Sequence, residues 1–589
     1  MLRPLLQVVI ISAFVYGSSA YGRHTLHGEN PAPTANVGDG RIIQKYSFAP
    51  PQITEVVIAG ERLARLAMPD APCGGAIGRP ALPARAAHIL LPPGTAAAKI
   101  RILADGKIPL GEAYLVEPVE CPAPLSAVSP TVPGPPIRDH AVYTSIKPYP
   151  ATRYREIGTY DFRGYRILIL RLQPVEYTPK TGALAYYPEL TVIVETREVA
   201  KPHGLFRGRA ADEREAATRV DNPAAVADYP RLARTAAEDY ELLIIAHPPW
   251  LAASFQPLKD YHDTTGIMTE IRTTAEVGGT TPDDLRDYIR DEYLNHGIEY
   301  VLVAADDHQL PAQDLYVKSW EGIIHGDPPI YSYDMPADVY FGCLDGTYNF
   351  DGDALWGEPT DGEDGGDVDL LAEVYVGRAP VDDIADADRF VTKTLAYLTA
   401  AGPYLEKVII AAELLGYGGP VQYAAPYMDE IIDGSSNHGY TTVGVPSDQY
   451  TIELLYDRDW PNWPAAEMIS RINAGRHIIN HLGHCIDYYA LKMYETDVAQ
   501  LTNDDYCFIY TQGCYAGAFD SLGCMAEYFT VDYDHGAFAG IMNARYGYGS
   551  SRTTEQTTDS PAQRFDREFC DAVFNPAETR VGLRPTPTH

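Results

Sequence analysis

The 589 residues carry 46 Lys and Arg against 80 Asp and Glu, a formal charge of −34, with 46% apolar and 11% aromatic side chains. That apolar content fills several cores, in two or three large domains or about four of ~150 residues. The negative balance argues against nucleic acid or an anionic membrane as the principal partner, because both reward clustered Lys and Arg.

At the start, Arg3 precedes an apolar run from Leu5 to Tyr16, and Ser18-Ser19-Ala20 follow as small residues. This predicts a secretory signal peptide over 1–20; the run is shorter than the roughly twenty apolar residues of a membrane span. No later run reaches that length, so the expectation is no membrane span and a secreted, extracellular protein, held at the cell surface only through some other signal. Eight cysteines are too few for a disulfide scaffold, although an exported compartment permits one or two bridges.

Residues 21–200 read as an all-β, sandwich-like domain. Short alternating apolar runs, Tyr165, Ile167, Ile169 and then Leu190, Val192, Val194, flank the turn signal Pro179-Lys180-Thr181-Gly182, which predicts a hairpin. Residues 201–235 are charged and Ala-rich, with Arg207, Arg209, Arg214 and Arg219. They are expected to form a linker open to a trypsin-like activating protease.

From 236 to 589 the pattern changes to a mostly parallel α/β domain, with a subdomain boundary near 400. Buried-strand runs at Leu242–Ala246, Gly266–Arg272, Tyr300–Ala304, Glu373–Gly377 and Val408–Ala412 alternate with helical stretches. Thr281 and Pro282 mark the start of a helix reaching Asn295; further helices are expected at Asp383–Thr399 and Ala465–Asn473. In such sheets function sits just past the carboxyl ends of the strands.

Two such loops stand out. One leaves the strand at Arg476–His481 as His481-Leu482-Gly483-His484-Cys485, and the other leaves Tyr506–Thr511 as Gln512-Gly513-Cys514-Tyr515-Ala516-Gly517. If the strands are neighbours, a His and a Cys share one end of the sheet, where an imidazole can lower a thiol pKa and return the proton to a leaving group. A buried structural Cys, a disulfide among Cys485, Cys507, Cys514 and Cys524, or a metal are the competing readings; zinc would want a compact Cys pair, which is not present. The acidic stretch 345–369, with Asp345, Asp351, Asp353, Asp361, Glu363, Asp364, Asp367 and Asp369 among glycines, suits either Ca²⁺ or a solvated loop; Asp345, Asp351 and Asp353 are the candidate ligands.

Several segments in chain order resemble the gingipain-type cysteine peptidases, family C25, with a caspase-like fold. They are Asp338–Gly346, Glu373–Arg378, Ile479–His484, Gly513–Asp520 and Asn543–Gly547, within a similarity from about Asp228 to Gly582. Gly164-Tyr165-Arg166 and Pro174–Tyr177 resemble the family's propeptide. The resemblance implies Cys514 as nucleophile, His484 as general base and Glu373 as the acid orienting the imidazole, unless Glu373 is an ordinary strand-end carboxylate. It implies an oxyanion hole from the backbone N–H groups of Cys514 and Cys485. Cys485 departs from the Gly that usually follows the His, which either narrows access or allows a bond to Cys514. Asp382, Asp383 or Asp386 would floor the substrate pocket, unless they cap a helix, and Tyr546 or Tyr548 would cover it. Family members also bind calcium. No organic cofactor is expected. The expected function is a secreted cysteine endopeptidase acting on proteins or peptides and made as a zymogen with its own propeptide as inhibitor. A sorting transpeptidase or an inactive binding and adhesion protein are the alternatives.

Overall fold

Alternating apolar residues lay down the N-terminal domain. The computed structural model describes residues 40–120, 122–125, 135–199, 204–232, 239–320, 330–358, 360–362, 367–416, 422–549 and 560–575, so the segment expected as a signal peptide lies outside the described residues. The strands of the N-terminal domain include β1 (Arg41–Ser47), β2 (Arg85–Leu90), β3 (Thr95–Asp105), β4 (Ala123–Pro124), β5 (Tyr154–Phe162), β6 (Tyr165–Leu172), β7 (Val175–Thr178), β8 (Ala183–Tyr186) and β9 (Glu189–Glu198). One antiparallel sheet has the order β1-β9-β3 and another β5-β6-β2. Leu190, Val192 and Val194 of the first meet Leu168, Leu170 and Leu172 of the second in one core, as two inner faces of a sandwich do.

The turn at 179–182 does form a hairpin, but from the nearer strands β7 and β8. The two runs expected to pair across it go to different sheets: β6 pairs with β5 and β2, and β9 with β1 and β3. Longer strands find their partners by burial of their apolar faces, and the local turn only joins the short pair between them.

The interval expected as a linker contains helix α1 (Ala210–Thr218). Arg207 is buried and donates to Asp212 and to the carbonyl oxygens of Tyr293 and Ile298. Arg209 bonds the Gly297 carbonyl, and Arg219 pairs with Glu215 at 2.8 Å. Arg214 and Arg231 are exposed.

The α/β part includes β10 (Leu242–Ala246), β11 (Thr269–Thr273), α2 (Pro282–Asn295), β12 (Tyr300–Ala304), β13 (Tyr375–Ala379) and α3 (Ile384–Leu398), then β14 (Lys407–Ala412), β15 (Thr451–Tyr456), α4 (Ala465–Asn473), β16 (Ile478–Leu482), β17 (Cys507–Thr511), β18 (Ala537–Ile541), β19 (Tyr548–Gly549) and α5 (Pro561–Phe574). They build two wholly parallel sheets, ordered β11-β10-β12-β13 and β15-β14-β16-β17-β18.

Alternation within β10 shows how the layers close. Leu242, Ile244 and Ala246 enter a large core shared with α3 and the second sheet. Leu243 and Ile245 enter another with Leu285, Ile289 and Tyr293 of α2. A strand buried on both faces needs a continuous apolar run, which is what LLIIA supplies. Helix α2 starts in a reciprocal cap: Thr281 Oγ1 accepts from the Asp284 N–H at 3.2 Å, and the Asp284 carboxylate accepts from the Thr281 N–H at 3.1 Å.

Candidate active site

Strands β16 and β17 are parallel neighbours, with His481 opposite Thr511, so the loops after them leave the same end of the second sheet. Gly513 and Cys485 touch there: a Cβ on Gly513 would overlap the Cys485 sulfur. Only glycine fits that close approach.

Cys514 is fully buried. Its Sγ accepts the Gly547 N–H at 3.3 Å. Residues 543–547 brace the cysteine loop: Asn543 Nδ2 donates to the carbonyl oxygens of Gln512 at 2.8 Å and Gly513 at 3.0 Å, the Gly517 N–H donates to Asn543 O, and the Tyr515 N–H donates to Arg545 O. Arg545 is itself held by Asp520 at 2.6 Å. Tyr515 sits at φ 58°, a left-handed conformation uncommon outside glycine, so the residue after Cys514 depends on these tethers.

His484 is half-buried, and its Nδ1 is buried without a hydrogen-bond partner among the described residues. The carboxylate nearest in the network is Glu413, just past the end of β14. It accepts the His484 main-chain N–H at 3.1 Å with one oxygen, and its other oxygen lies 3.1 Å from His481 Nε2. His481 Nδ1 is 2.8 Å from Thr511 Oγ1. Glu413 therefore ties three strands together beneath the two loops. Cys485 is buried beside this network, its Sγ 3.7 Å from Thr511 Oγ1; burial first, then the Glu413 charge, push its thiol well above the usual range. A thiol held neutral is a poor nucleophile. The seven described cysteines are all free thiols.

The other sequence-predicted residues lie as follows. Glu373 is fully buried at the edge of the first sheet, with its two oxygens accepting from the N–H groups of Arg163 at 3.1 Å and Leu344 at 2.9 Å. Asp383 caps α3, accepting from Ala385 N at 2.7 Å and Asp386 N at 3.1 Å, while Asp386 pairs with Arg389 at 2.6 Å and accepts from Asp382 N. Tyr546 stands edge-on to Tyr515, with centroids 5.0 Å apart, and lies 6.3 Å from the buried Tyr548. The structure thus brings Cys514, Cys485, His484 and the two tyrosines to one end of the second sheet and leaves Asp383 and Asp386 at a helix start. Sequence reading missed Glu413 and, although Asn543–Gly547 is one of the resembling segments, the clamping role of Asn543. Glu413 follows a strand of the same sheet and was findable by the carboxyl-end rule; Asn543 acts through loop carbonyls, which carry no sequence signal.

In the acidic stretch, Asp351 and Asp353 cap their own loop, accepting from Asp353 N and Leu355 N. Glu363 and Asp364 lie outside the described residues. Asp345 is different: its Oδ1 is buried without a hydrogen-bond partner, and the side chain meets Asp369. Burial and then Asp345 hold the Asp369 carboxyl well above the usual range, and burial followed by Asp345 pushes Glu373 up to about 8. Three acids thus crowd one another at the edge of the first sheet, Asp345 meeting Asp369 and raising both Asp369 and Glu373. Elsewhere, Asp306, His308 and Asp382 cluster, but the imidazole bridges the two carboxylates at 3.0 and 3.3 Å and accounts for them by itself.

One segment of the N-terminal domain reaches the site. Strand β4 pairs antiparallel with β19, Pro124 opposite Tyr548 and Ala123 opposite Gly549. The next residue, Leu125, donates its N–H to Gly547 O at 2.8 Å.

Residues 235–584 match peptidase family C25, and residues 30–207 match the C25 propeptide. Gingipain R1 of Porphyromonas gingivalis is 23% identical over 393 residues, covering 63% of this chain and 34% of that protein. A longer gingipain R1 from the same organism shows the same identity, with 20% of its length covered, so the chain spans about a third of one relative and a fifth of the other. Among solved structures, the Arg-specific cysteine proteinase gingipain R is similar at 19% identity and a TM-score of 0.39, over 53% of this chain and 64% of that one. A structure addressing the zymogenic latency of gingipain K from Porphyromonas gingivalis is similar at 20% identity and a TM-score of 0.23, over 29% of this chain and 96% of that one.

Proposed function

The chain belongs to peptidase family C25, and from that premise we propose that it is a cysteine endopeptidase held latent by its own N-terminal domain. The observation that carries the reading is the parallel pairing of β16 and β17, which delivers His484 and Cys514 to one end of one sheet. His484 takes the Cys514 proton, and the thiolate attacks the carbonyl carbon of a peptide bond. The N–H groups of Cys514 and Cys485 receive the oxyanion. As the C–N bond breaks, His484 returns the proton to the departing amine, leaving a thioester; water, deprotonated by the same imidazole, then frees the acid and restores the thiol.

Latency is supported by the burial of Cys514 and by the β4–β19 pairing across Gly547. Protein or peptide substrates would add a strand where β4 lies. Among the described residues no helix is long and apolar enough to cross a membrane, and export rests on the apolar run after Arg3. Asp345 and Asp369, whose side chains meet, are the residues that would hold Ca²⁺, whose charge would neutralise an acidic corner at the edge of the first sheet. Glu373 serves that corner rather than the imidazole, since both its oxygens accept main-chain N–H groups.

The test is substitution with activity and fold read separately. Cys514→Ala and His484→Ala should each lower peptide hydrolysis by on the order of 10³-fold or more with an unchanged circular dichroism spectrum. Wild-type turnover in Cys514→Ala would refute the assignment.

A further inference from the structure

Resting on the peptidase reading above, the structure says what kind of side chain the site accepts. Gly547 holds the two parties together: its N–H goes to Cys514 Sγ at 3.3 Å, and its carbonyl oxygen accepts the Leu125 N–H at 2.8 Å. Antiparallel addition to a short exposed strand is also how an extended peptide binds, main-chain bonds setting the path and a pocket taking the side chain. Leu125 thus stands where the residue supplying the scissile carbonyl would stand.

Its side chain is fully buried and belongs to the core of the second sheet; among the described residues, it is the sole member of that core from the N-terminal domain. Its Cδ1 lies 3.0 Å from the place a Cβ on Gly547 would occupy, so the absent side chain at 547 is part of the space it fills. The polar groups bordering that place are already engaged. Asn543 Nδ2 donates to the Gln512 and Gly513 carbonyl oxygens. The Gln512 side chain turns to Asp566 at 2.9 Å and Gln563 at 3.1 Å, and the other Asp566 oxygen accepts from Asn480 at 2.6 Å. Asp383 and Asp386, the acids that could have floored a basic pocket, are bonded at the start of α3. A guanidinium or ammonium buried beside Gly547 would need an unpaired carboxylate there, whereas a leucine gains the full burial of its apolar surface.

We propose that Leu125 fills the primary specificity pocket and that the enzyme cleaves after leucine-sized apolar residues rather than after Arg or Lys. The experiment uses the full chain nicked with trypsin, the trypsin then quenched by a serine-protease inhibitor, with Cys514→Ala treated identically. Peptides differing only at the residue before the scissile bond (Leu, Arg, Lys, Asp) should show kcat/KM for Leu at least ~10-fold above the others. Faster turnover of Arg or Lys would overturn the inference and leave the Cys514 chemistry standing, and absence of any Cys514-dependent turnover from nicked enzyme freed of its N-terminal fragment in urea and refolded alone would overturn both. A second arm reads the pocket without turnover. In the un-nicked chain, Leu125→Arg should speed alkylation of Cys514 by iodoacetamide at least ~10-fold, because a cation cannot stay in an apolar pocket; an unchanged rate would count against the proposal.

Discussion

Arg163 and Glu373 are 210 residues apart and share two hydrogen bonds: the Arg163 N–H donates to the Glu373 carboxylate at 3.1 Å, and Arg163 Nε donates to the Glu373 main-chain oxygen at 3.0 Å. Arg163 sits at the β5–β6 turn with φ 50° and is buried, with its Nη1 2.9 Å from Asp212 and 3.1 Å from Glu215. A tip of the N-terminal domain is thus plugged into the first sheet of the catalytic domain, with Asp212 of α1 binding both Arg163 and Arg207.

Arg163→Ala should therefore destabilise the chain and uncouple its two domains. It leaves Asp212 and Glu215 short of a buried cation, a change worth about 3–5 kcal/mol. Urea unfolding should show the midpoint falling with a second transition separating out for the N-terminal domain. A single transition at the wild-type midpoint would refute this.

Trypsin should cut first at Arg231, not between Arg207 and Arg219. Arg231 lies on exposed backbone outside any helix, with its guanidinium paired to Glu213 at the surface, while Arg207 is buried and Arg219 caps the end of α1; a protease needs extended, accessible backbone. Intact-mass analysis of a time course resolves the order. Early fragments ending at Arg207 or Arg219 would show that α1 opens before the segment after it.

Calcium and pH should act together on stability. The folded Glu373 carboxyl holds its proton up to about 8, whereas an unfolded Glu releases it near ~4.3. Between those values the folded chain binds more protons than the unfolded one, so stability falls as pH rises through the window, by at most about 1.4 kcal/mol per pH unit for this group. With excess chelator, the melting midpoint at pH 8 should lie below that at pH 5, and millimolar calcium should raise the pH 8 midpoint more than the pH 5 one. Asp345→Asn should remove most of the calcium response. Equal midpoints with and without calcium at both pH values would return the acidic stretch to a solvated loop.

The parts legible in the sequence are those governed by local pattern. LLIIA, YVLVA and KVIIAA announce buried parallel strands, and Thr281-Pro282 marks the start of α2 within a residue. Strands β15 and β18 were not legible, for opposite reasons. TIELLY is an edge strand with its first half exposed, and AFAGI is short and rich in small residues. At the site, the Cys514 and His484 loops follow from strand ends. The partners of Glu373 and the clamp by Asn543 depend on contacts between segments far apart in the chain, which periodicity does not encode.

The plug at Arg163 changes what nicking accomplishes. Breaking the backbone after α1 would leave the N-terminal fragment bound through Arg163, which bonds Glu373, through Arg207, which donates to the carbonyl oxygens of Tyr293 and Ile298, and through β4, like a separate subunit. The nicked enzyme is then a complex with its own inhibitor, and its activity obeys mass action: concentrated stocks stay silent, dilution wakes them, and added fragment quiets them again.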